Sequence, residues 1–107
     1  MDSEAFERIG RLLGLARRSG AATLGLRATT AGAEQRKLAI VVLAGDASAR
    51  TARVVRRMCG ATPLIQGGTM ERLGELMGMP PVAVAGVRHG ALAAQILRLT
   101  RGSPGEP

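Results

Sequence analysis

The segment that most constrains the fold is a run of seven consecutive apolar residues, Leu38 to Ala44. It contains three β-branched side chains and no polar residue at alternate positions, which is typical of a β-strand buried on both faces. Such a strand lies inside a sheet, and another layer must cover each face of that sheet. The run is far shorter than the roughly twenty apolar residues that span a bilayer, so we expect no membrane segment.

Apolar residues at helical spacing predict helices on both sides of this strand. Phe6, Ile9 and Leu13 share one face of a first helix over residues 3–18, which ends at Ser19 and Gly20. Three further strands are predicted, at 22–24, 62–66 and 82–87. Four further helices are predicted: one from Gly25 to about Ala33, one that is capped by Ser48 or Asp46 and runs to Cys59, one between Thr69 and Gly78, and a last one from Gly90.

The third helix carries two separate sets of side chains. Its buried face is predicted to consist of Thr51, Val54, Val55 and Met58. Arginines at i, i+3 and i+7 form a basic stripe, which consists of Arg50, Arg53 and Arg57.

Strands that alternate with helices, around one strand buried on both faces, predict a protein of the α/β class. The expected architecture is a three-layer α/β/α sandwich, since the apolar stripe of each helix must pack against a sheet face. We expect one domain over residues 1–101 and a flexible, polar C-terminal tail over residues 102–107. The order of the strands in the sheet does not follow from the sequence.

The charge of the chain predicts a polyanionic partner. Its 107 residues include 15 basic and 8 acidic side chains, a net charge of +7, and Lys37 is the only lysine. Basic groups that neutralise phosphates release condensed counterions, which favours RNA or DNA contact; the alternative is an arginine-rich surface that only keeps the protein dissolved. Phe6 is the only aromatic residue, so modules that stack bases on two or three exposed rings are excluded.

Residues that carry catalysis or bind metals are scarce. Cys59 is the only cysteine and His89 the only histidine, so we expect no metal site and no Cys–His or Ser–His–Asp mechanism. A single cysteine forms no internal disulfide, which fits a reducing cytoplasm, and the N-terminal residues lack the apolar run of a secretion signal. We therefore expect a cytoplasmic monomer that is not an enzyme and takes no cofactor or small-molecule substrate.

Several segments, in this order, resemble a known family. They are LGLARRSG at 13–20, Leu24-Gly25, IVVLA at 40–44 with Asp46-Ala47-Ser48 and Thr51, Leu73-Gly74, and Gly78. Over about residues 10–99 the chain resembles the bacterial YlxQ-like proteins, small members of the L7Ae-type ribosomal-protein superfamily of kink-turn RNA binders. The resemblance implies an α/β/α sandwich with a four-stranded mixed sheet, and RNA binding without catalysis.

The resemblance also implies an RNA site at the start of the second helix, after Gly25, and in the loop of Met79, Pro80 and Pro81. A helix N-terminus offers unpaired N–H groups and a partial positive charge, which suit phosphates. Basic residues near the second helix are expected to contact the RNA backbone. The predicted RNA-binding residues are Arg17, Arg18, Gly25, Leu26, Arg27, Ala28, Arg36, Lys37, Met79, Pro80 and Pro81.

Two positions depart from the family pattern. After the glycine that begins the second helix, relatives carry first a polar or basic residue, then an acid or amide, and then a lysine. The corresponding positions in this chain are Arg27, Ala28 and Ala31. Alanine side chains form no hydrogen bonds with bases, so only Arg27 keeps a contact of the expected kind. Two functions stay open. One is a protein that binds structured, kink-turn-like RNA or the ribosome through a divergent site; the other is a protein-interaction module that has lost kink-turn recognition.

Overall fold

The Leu38–Ala44 run forms a strand in which every residue is buried, as its apolar pattern predicts. The structure is a computed structural model that describes residues 2–101; the tail predicted at 102–107 lies outside the described residues. Within that range the elements are α1 (Ser3–Arg18), β1 (Ala22–Leu24), α2 (Gly25–Glu34), β2 (Leu38–Ala44), α3 (Ala49–Cys59), β3 (Leu64–Gly67), α4 (Met70–Met77), β4 (Val84–Arg88) and α5 (Ala91–Arg101).

The strands form one mixed sheet in the order β1-β4-β2-β3. β2 and β3 are parallel, and β4 runs antiparallel to both β1 and β2. β1, β2 and β3 therefore point the same way, and the helices that follow them, α2, α3 and α4, all begin at one end of the sheet. This end is termed the carboxyl end; the amino end is the one at which β1, β2 and β3 begin and β4 finishes.

Helices cover both faces of the sheet, which confirms the predicted α/β/α sandwich. α2 and α3 pack on one face, over a core cluster that includes Val41 and Leu43 of β2. α1, α4 and α5 pack on the other face, over a cluster that includes Ile40 and Val42. Phe6 belongs to this second cluster and is 5% exposed, so its predicted place in the core is confirmed.

A bulge near the start of β2 keeps apolar residues on both faces. Leu38 pairs with Arg88 and Ile40 with Val87, so Ala39 is an extra residue in β2. Ala39 and Ile40 consequently both belong to the cluster under α1, α4 and α5, while Leu38 belongs to the cluster under α2 and α3. The extra residue changes the alternation of side chains at that point.

The bounds of two strands differ from the prediction because local hydrogen bonds compete with the sheet. β3 begins at Leu64 rather than at 62, since the Thr62 N–H donates to the carbonyl of Cys59, the last residue of α3, at 2.9 Å. β4 spans Val84–Arg88 rather than 82–87, because the Val82 N–H donates to the carbonyl of Met70 at 3.0 Å.

The buried face of α3 also differs from the prediction. Thr51, Val54 and Met58 are partly exposed, and the buried residues are Ala52, Val55 and Cys59. α3 packs closely against α2, whose buried face consists of Thr29, Gly32 and Ala33. Small residues on both helices allow this close approach, and a pattern of large apolar residues does not reveal it.

α1 and α4 lie side by side and are joined by packing and by charge. Gly10 contacts Leu76 so closely that a Cβ atom at Gly10 has no room. Arg72 donates to both carboxylate oxygens of Glu7, with 2.7 Å between Nε and Oε2. This hydrogen bonding by Arg72 holds the pKa of Glu7 below its usual value.

Candidate functional site

The N-terminus of α2 lies at the carboxyl end of the sheet, where Gly25 directly follows β1. Gly25 has a φ of +82°, a backbone conformation that glycine adopts without steric cost, so the chain passes from strand to helix without a loop. Leu24 is the N-cap residue; within the described chain its side chain makes no hydrogen bond to the helix, and the first turn contains no acidic residue. The first N–H groups of α2 are thus left without a side-chain acceptor.

The neighbouring helices α3 and α4 are capped by side chains of the protein itself. Ser48 accepts a hydrogen bond from the Thr51 N–H at 3.1 Å and caps α3, as predicted. Thr69 caps α4 as predicted. Asp46 was the alternative cap predicted for α3, but it accepts from the Met70 N–H at 2.8 Å and therefore caps α4. The start of α2 differs from both, because its N–H groups remain available to an external anion.

The first turn of α2 presents Leu26, Arg27 and Ala28 to solvent. The other side of the helix fixes its position, since Thr29 is fully buried and its hydroxyl lies 3.0 Å from that of Thr23 in β1. The Arg27 guanidinium and the unpaired N–H groups therefore belong to one rigidly held helix end.

The loop of Met79, Pro80 and Pro81 leads toward the same end of the sheet. It runs back along α4 into β4, whose Ala85 pairs with Leu24 next to the start of α2. Pro80 and Pro81 are exposed, whereas Met79 is partly buried against the core. The two prolines thus offer apolar surface on the loop that enters β4.

Arg36 and Lys37 lie at the far end of α2, in the turn before β2. A helix of ten residues is about 15 Å long, so the structure does not bring these two residues together with Gly25. Their predicted contact with RNA therefore has a different location from the α2 N-terminus.

Arg17 and Arg18 lie in the last turn of α1, which leads to the beginning of β1. They are thus also near the amino end of the sheet, and the structure does not show the predicted convergence with Arg27. Arg17 is partly committed within the protein, because its Nε donates to the carbonyl of Met77 at the end of α4, at 3.1 Å. Arg18 is exposed.

Two basic residues at the amino end were absent from the predicted site. Arg88 closes β4 and His89 follows it, and both are exposed. Arg88 pairs with Leu38, immediately after Lys37. These residues lie close together because β2 and β4 pair antiparallel, and the sequence does not reveal that pairing.

Three features bear on catalysis, metals and membranes. Cys59 is buried, and burial raises the pKa of its thiol. Among residues 2–101 no three His, Cys, Asp or Glu side chains lie together in a way that could hold a metal ion. No helix of the described chain combines the length and apolarity that crossing a bilayer requires.

The fold and the site define a small α/β/α protein with an open, positively polarised helix end beside an arginine. The model of the Ribosomal protein L7Ae/L30e/S12e/Gadd45 family matches residues 7–96. The chain belongs to that family. A search of curated proteins finds no match.

Two solved structures resemble the whole fold. One is described as a protein with unknown function from Bacillus halodurans; it has a TM-score of 0.79 and 24% identity over 88% of this chain and 97% of that one. The other is the Giardia lamblia 15.5kD RNA binding protein, with a TM-score of 0.76 and 18% identity over 92% of this chain and 88% of that one. At these identities the likeness concerns the fold.

Proposed function

We propose that the chain is a non-catalytic, YlxQ-like RNA-binding protein that binds structured RNA of the kink-turn type or the ribosome through the N-terminus of α2. The observation that carries this proposal is the helix end itself, which has no side-chain cap and has Arg27 in its first turn. Membership of the family and the likeness to an RNA-binding protein of similar fold support it.

The chemistry of the α2 N-terminus suits a phosphate. Unpaired N–H groups donate to phosphate oxygens, and the helix dipole adds a partial positive charge. Arg27 adds a full charge and a planar pair of donors. Gly25 allows the backbone to approach the RNA closely, because nothing within 4 Å surrounds the position of a Cβ atom there.

Ala28 and Ala31 limit how well this site distinguishes bases. A good bidentate base contact contributes about 1–3 kcal/mol of discrimination, and neither alanine side chain makes one. We therefore expect affinity to come mainly from phosphates, with Leu26 and the exposed prolines packing against unstacked nucleotides. Such binding is strongly dependent on salt and weakly dependent on sequence.

The test compares Arg27→Ala with Arg53→Ala, an equal loss of charge from an exposed position in the middle of α3. The probes are a kink-turn RNA and a plain RNA duplex, titrated at about 50 and 200 mM salt. Because Arg27 lies at the open helix end, we expect Arg27→Ala to weaken kink-turn binding by about tenfold and Arg53→Ala by about twofold or less. Equal effects would show that binding is diffuse charge attraction and would refute the α2 site.

One groove supports the second function, a protein-interaction module. It lies between α1 and α5, measures about 450 Å³, and is lined by Leu12, Leu15 and Leu99 together with Arg8, Arg11, Gln95 and Arg98. Leu15 is 47% exposed, unusual for a leucine of this protein. If the unchanged chain bound neither RNA at low salt, this function would replace RNA binding.

A further inference from the structure

The amino end of the sheet carries a cluster of basic side chains that the proposed α2 site does not use. This cluster, termed the basic end, consists of Arg36, Lys37, Arg88 and His89. Arg36 and Lys37 come from the turn between α2 and β2, and Arg88 and His89 come from the end of β4. The pairing of Leu38 with Arg88 brings the two segments side by side. All four residues are exposed.

A depression of about 560 Å³ adjoins the basic end. Arg36 and His89 line it together with the apolar residues Leu38, Ala39 and Cys59, and Glu34 is its one carboxylate. The volume and the lining combine an apolar floor with cationic and flat side chains, the combination that an unstacked nucleotide requires.

His89 is the only histidine of the sequence, and Arg36 places a guanidinium plane beside the same depression. Phe6 is the only Phe, Tyr or Trp in the sequence and is buried. Imidazole rings and guanidinium planes also stack on bases. The basic end is therefore a place where this protein can stack a base without an exposed aromatic residue of those three types.

Among residues 2–101 no carboxylate forms an ion pair with the basic end, although Glu34 lines the adjoining depression. The four ion pairs found among the described residues lie within α1, within α4 or between these two helices, and their carboxylates are those of Glu4, Glu7 and Glu75. Within residues 2–101, none of them includes Arg36, Lys37 or Arg88. Their charges are thus available to a partner from outside the protein.

Arg36 has a backbone conformation that normally belongs to glycine. It is the one non-glycine residue with positive φ in the described chain, at +58°, and this region costs roughly 1 kcal/mol or more for an L side chain. The turn is otherwise regular, because the Arg36 N–H donates to Ala33 and the Lys37 N–H to Gly32, both at 3.0 Å. Position 36 thus holds an arginine where glycine would fit with less strain.

We propose that the basic end is a second RNA-binding surface, which holds phosphates of an unpaired RNA segment through Arg36, Lys37 and Arg88 while one base occupies the depression beside His89. This inference rests on the proposed function, that is, on RNA being the partner. The surface is distinct from the α2 N-terminus, since the whole length of α2 separates them. The ligand class is flexible single-stranded RNA, because a base inside a duplex cannot enter the depression.

The test uses the full chain and a short single-stranded RNA as probe. Arg36→Gln/Arg88→Gln removes two charges from the basic end, and Arg53→Gln/Arg98→Gln removes two exposed charges elsewhere. Glutamine keeps the three-carbon stem and a polar end group without the charge, and it adds no new strain at Arg36. We expect the first double variant to weaken binding by about tenfold and to lower the slope of log affinity against log salt by about 1.4, and the control to change both far less.

A second variant tests the stacking part of the proposal. His89→Ala removes the ring and leaves the arginines in place, so we expect about fivefold weaker binding of the single strand with an unchanged salt slope. Ultraviolet crosslinking of the RNA to the peptide that contains His89 is expected in the unchanged chain and is lost with Arg36→Gln/Arg88→Gln.

The outcomes separate this inference from the proposed function. If Arg27→Ala weakens kink-turn binding while the basic-end variants bind the single strand normally, the second surface does not exist and the α2 site stands. If the basic-end variants lose binding while Arg27→Ala does not, the α2 site fails and the second surface stands. Equal losses from the two double variants would overturn the second surface, and absence of all RNA binding at low salt would overturn both.

Discussion

At the scale of single residues, Arg36 has an energetic role that its exposed side chain does not indicate. Replacing an arginine that has left-handed backbone angles by glycine removes the unfavourable contact between Cβ and the backbone. The stability gained in this way exceeds the stability lost because glycine gives the unfolded chain more conformational entropy. Arg36→Gly is therefore expected to raise the free energy of unfolding by about 0.5 kcal/mol. Arg53→Gly, the same chemical change inside α3, is expected to lower it by about 1 kcal/mol.

Urea unfolding of the two variants measures both signs. A fall in stability with Arg36→Gly would contradict the positive φ at that position. If the second RNA surface exists, Arg36→Gly gives a protein that is more stable and binds single-stranded RNA less well. Opposite changes in stability and binding are expected where strain is retained for function.

Gly68 is a second residue whose identity the fold determines. It has a φ of +64°, and a Cβ atom there would overlap the ring of Phe6. Since the ring is in the core, Gly68→Ala must displace it as well as strain the backbone, and we expect a loss of about 2–4 kcal/mol. Gly20→Ala is the control, because Gly20 has a φ of +79° with nothing within 4 Å; its expected loss is about 1 kcal/mol.

Thermal or urea unfolding separates these two glycine variants. Combining Gly68→Ala with Phe6→Leu is expected to recover part of the loss, because a smaller side chain leaves room for the methyl group. Equal losses at Gly20 and Gly68 would mean that the Phe6 contact contributes nothing.

At the scale of elements, Asp46 links the loop after β2 to the first turn of α4. Its carboxylate accepts from the Met70 N–H at 2.8 Å. Asp46→Ala is expected to lower the free energy of unfolding by about 1 kcal/mol through the loss of this cap, while Asp46→Asn keeps an acceptor and retains most of the stability. Hydrogen exchange at the amide of Met70 measures the effect locally; unchanged protection in Asp46→Ala would contradict the role of Asp46 as a cap of α4.

Individual elements could be predicted where the cause is local. The helix over Ser3–Arg18, the caps Ser48 and Thr69, and the apolar strand follow from spacing and capping residues within a few positions. The partner of Asp46 could not be predicted, because it lies on a helix that begins 24 positions later along the chain. The prediction for the buried face of α3 was wrong for a similar reason, since the small residues of α3 become buried only when α2 packs against them.

At the scale of the whole molecule, the direction of α2 and the strand order decide which basic residues come together. The sequence predicts Arg17, Arg18, Arg27, Arg36 and Lys37 as RNA contacts, but α2 runs from one end of the sheet to the other, so Arg27 lies at the carboxyl end and the other four lie near the amino end. It also brings the end of β4 beside Lys37. Positions that depend on the pairing of distant strands have no local signal, so the α2 N-terminus could be predicted and the basic end could not.

The parallel alignment of α2, α3 and α4 has a kinetic consequence. Their positive dipole ends all lie at the carboxyl end of the sheet, and arginines lie at the opposite end, so an approaching polyanion is attracted to both. If both proposed surfaces bind RNA, a first collision is productive in either orientation, which enlarges the target that RNA meets by diffusion. Discrimination between RNAs would then fall to the dissociation step: a molecule that suits the α2 end or the basic end would stay, and one that suits neither would leave quickly.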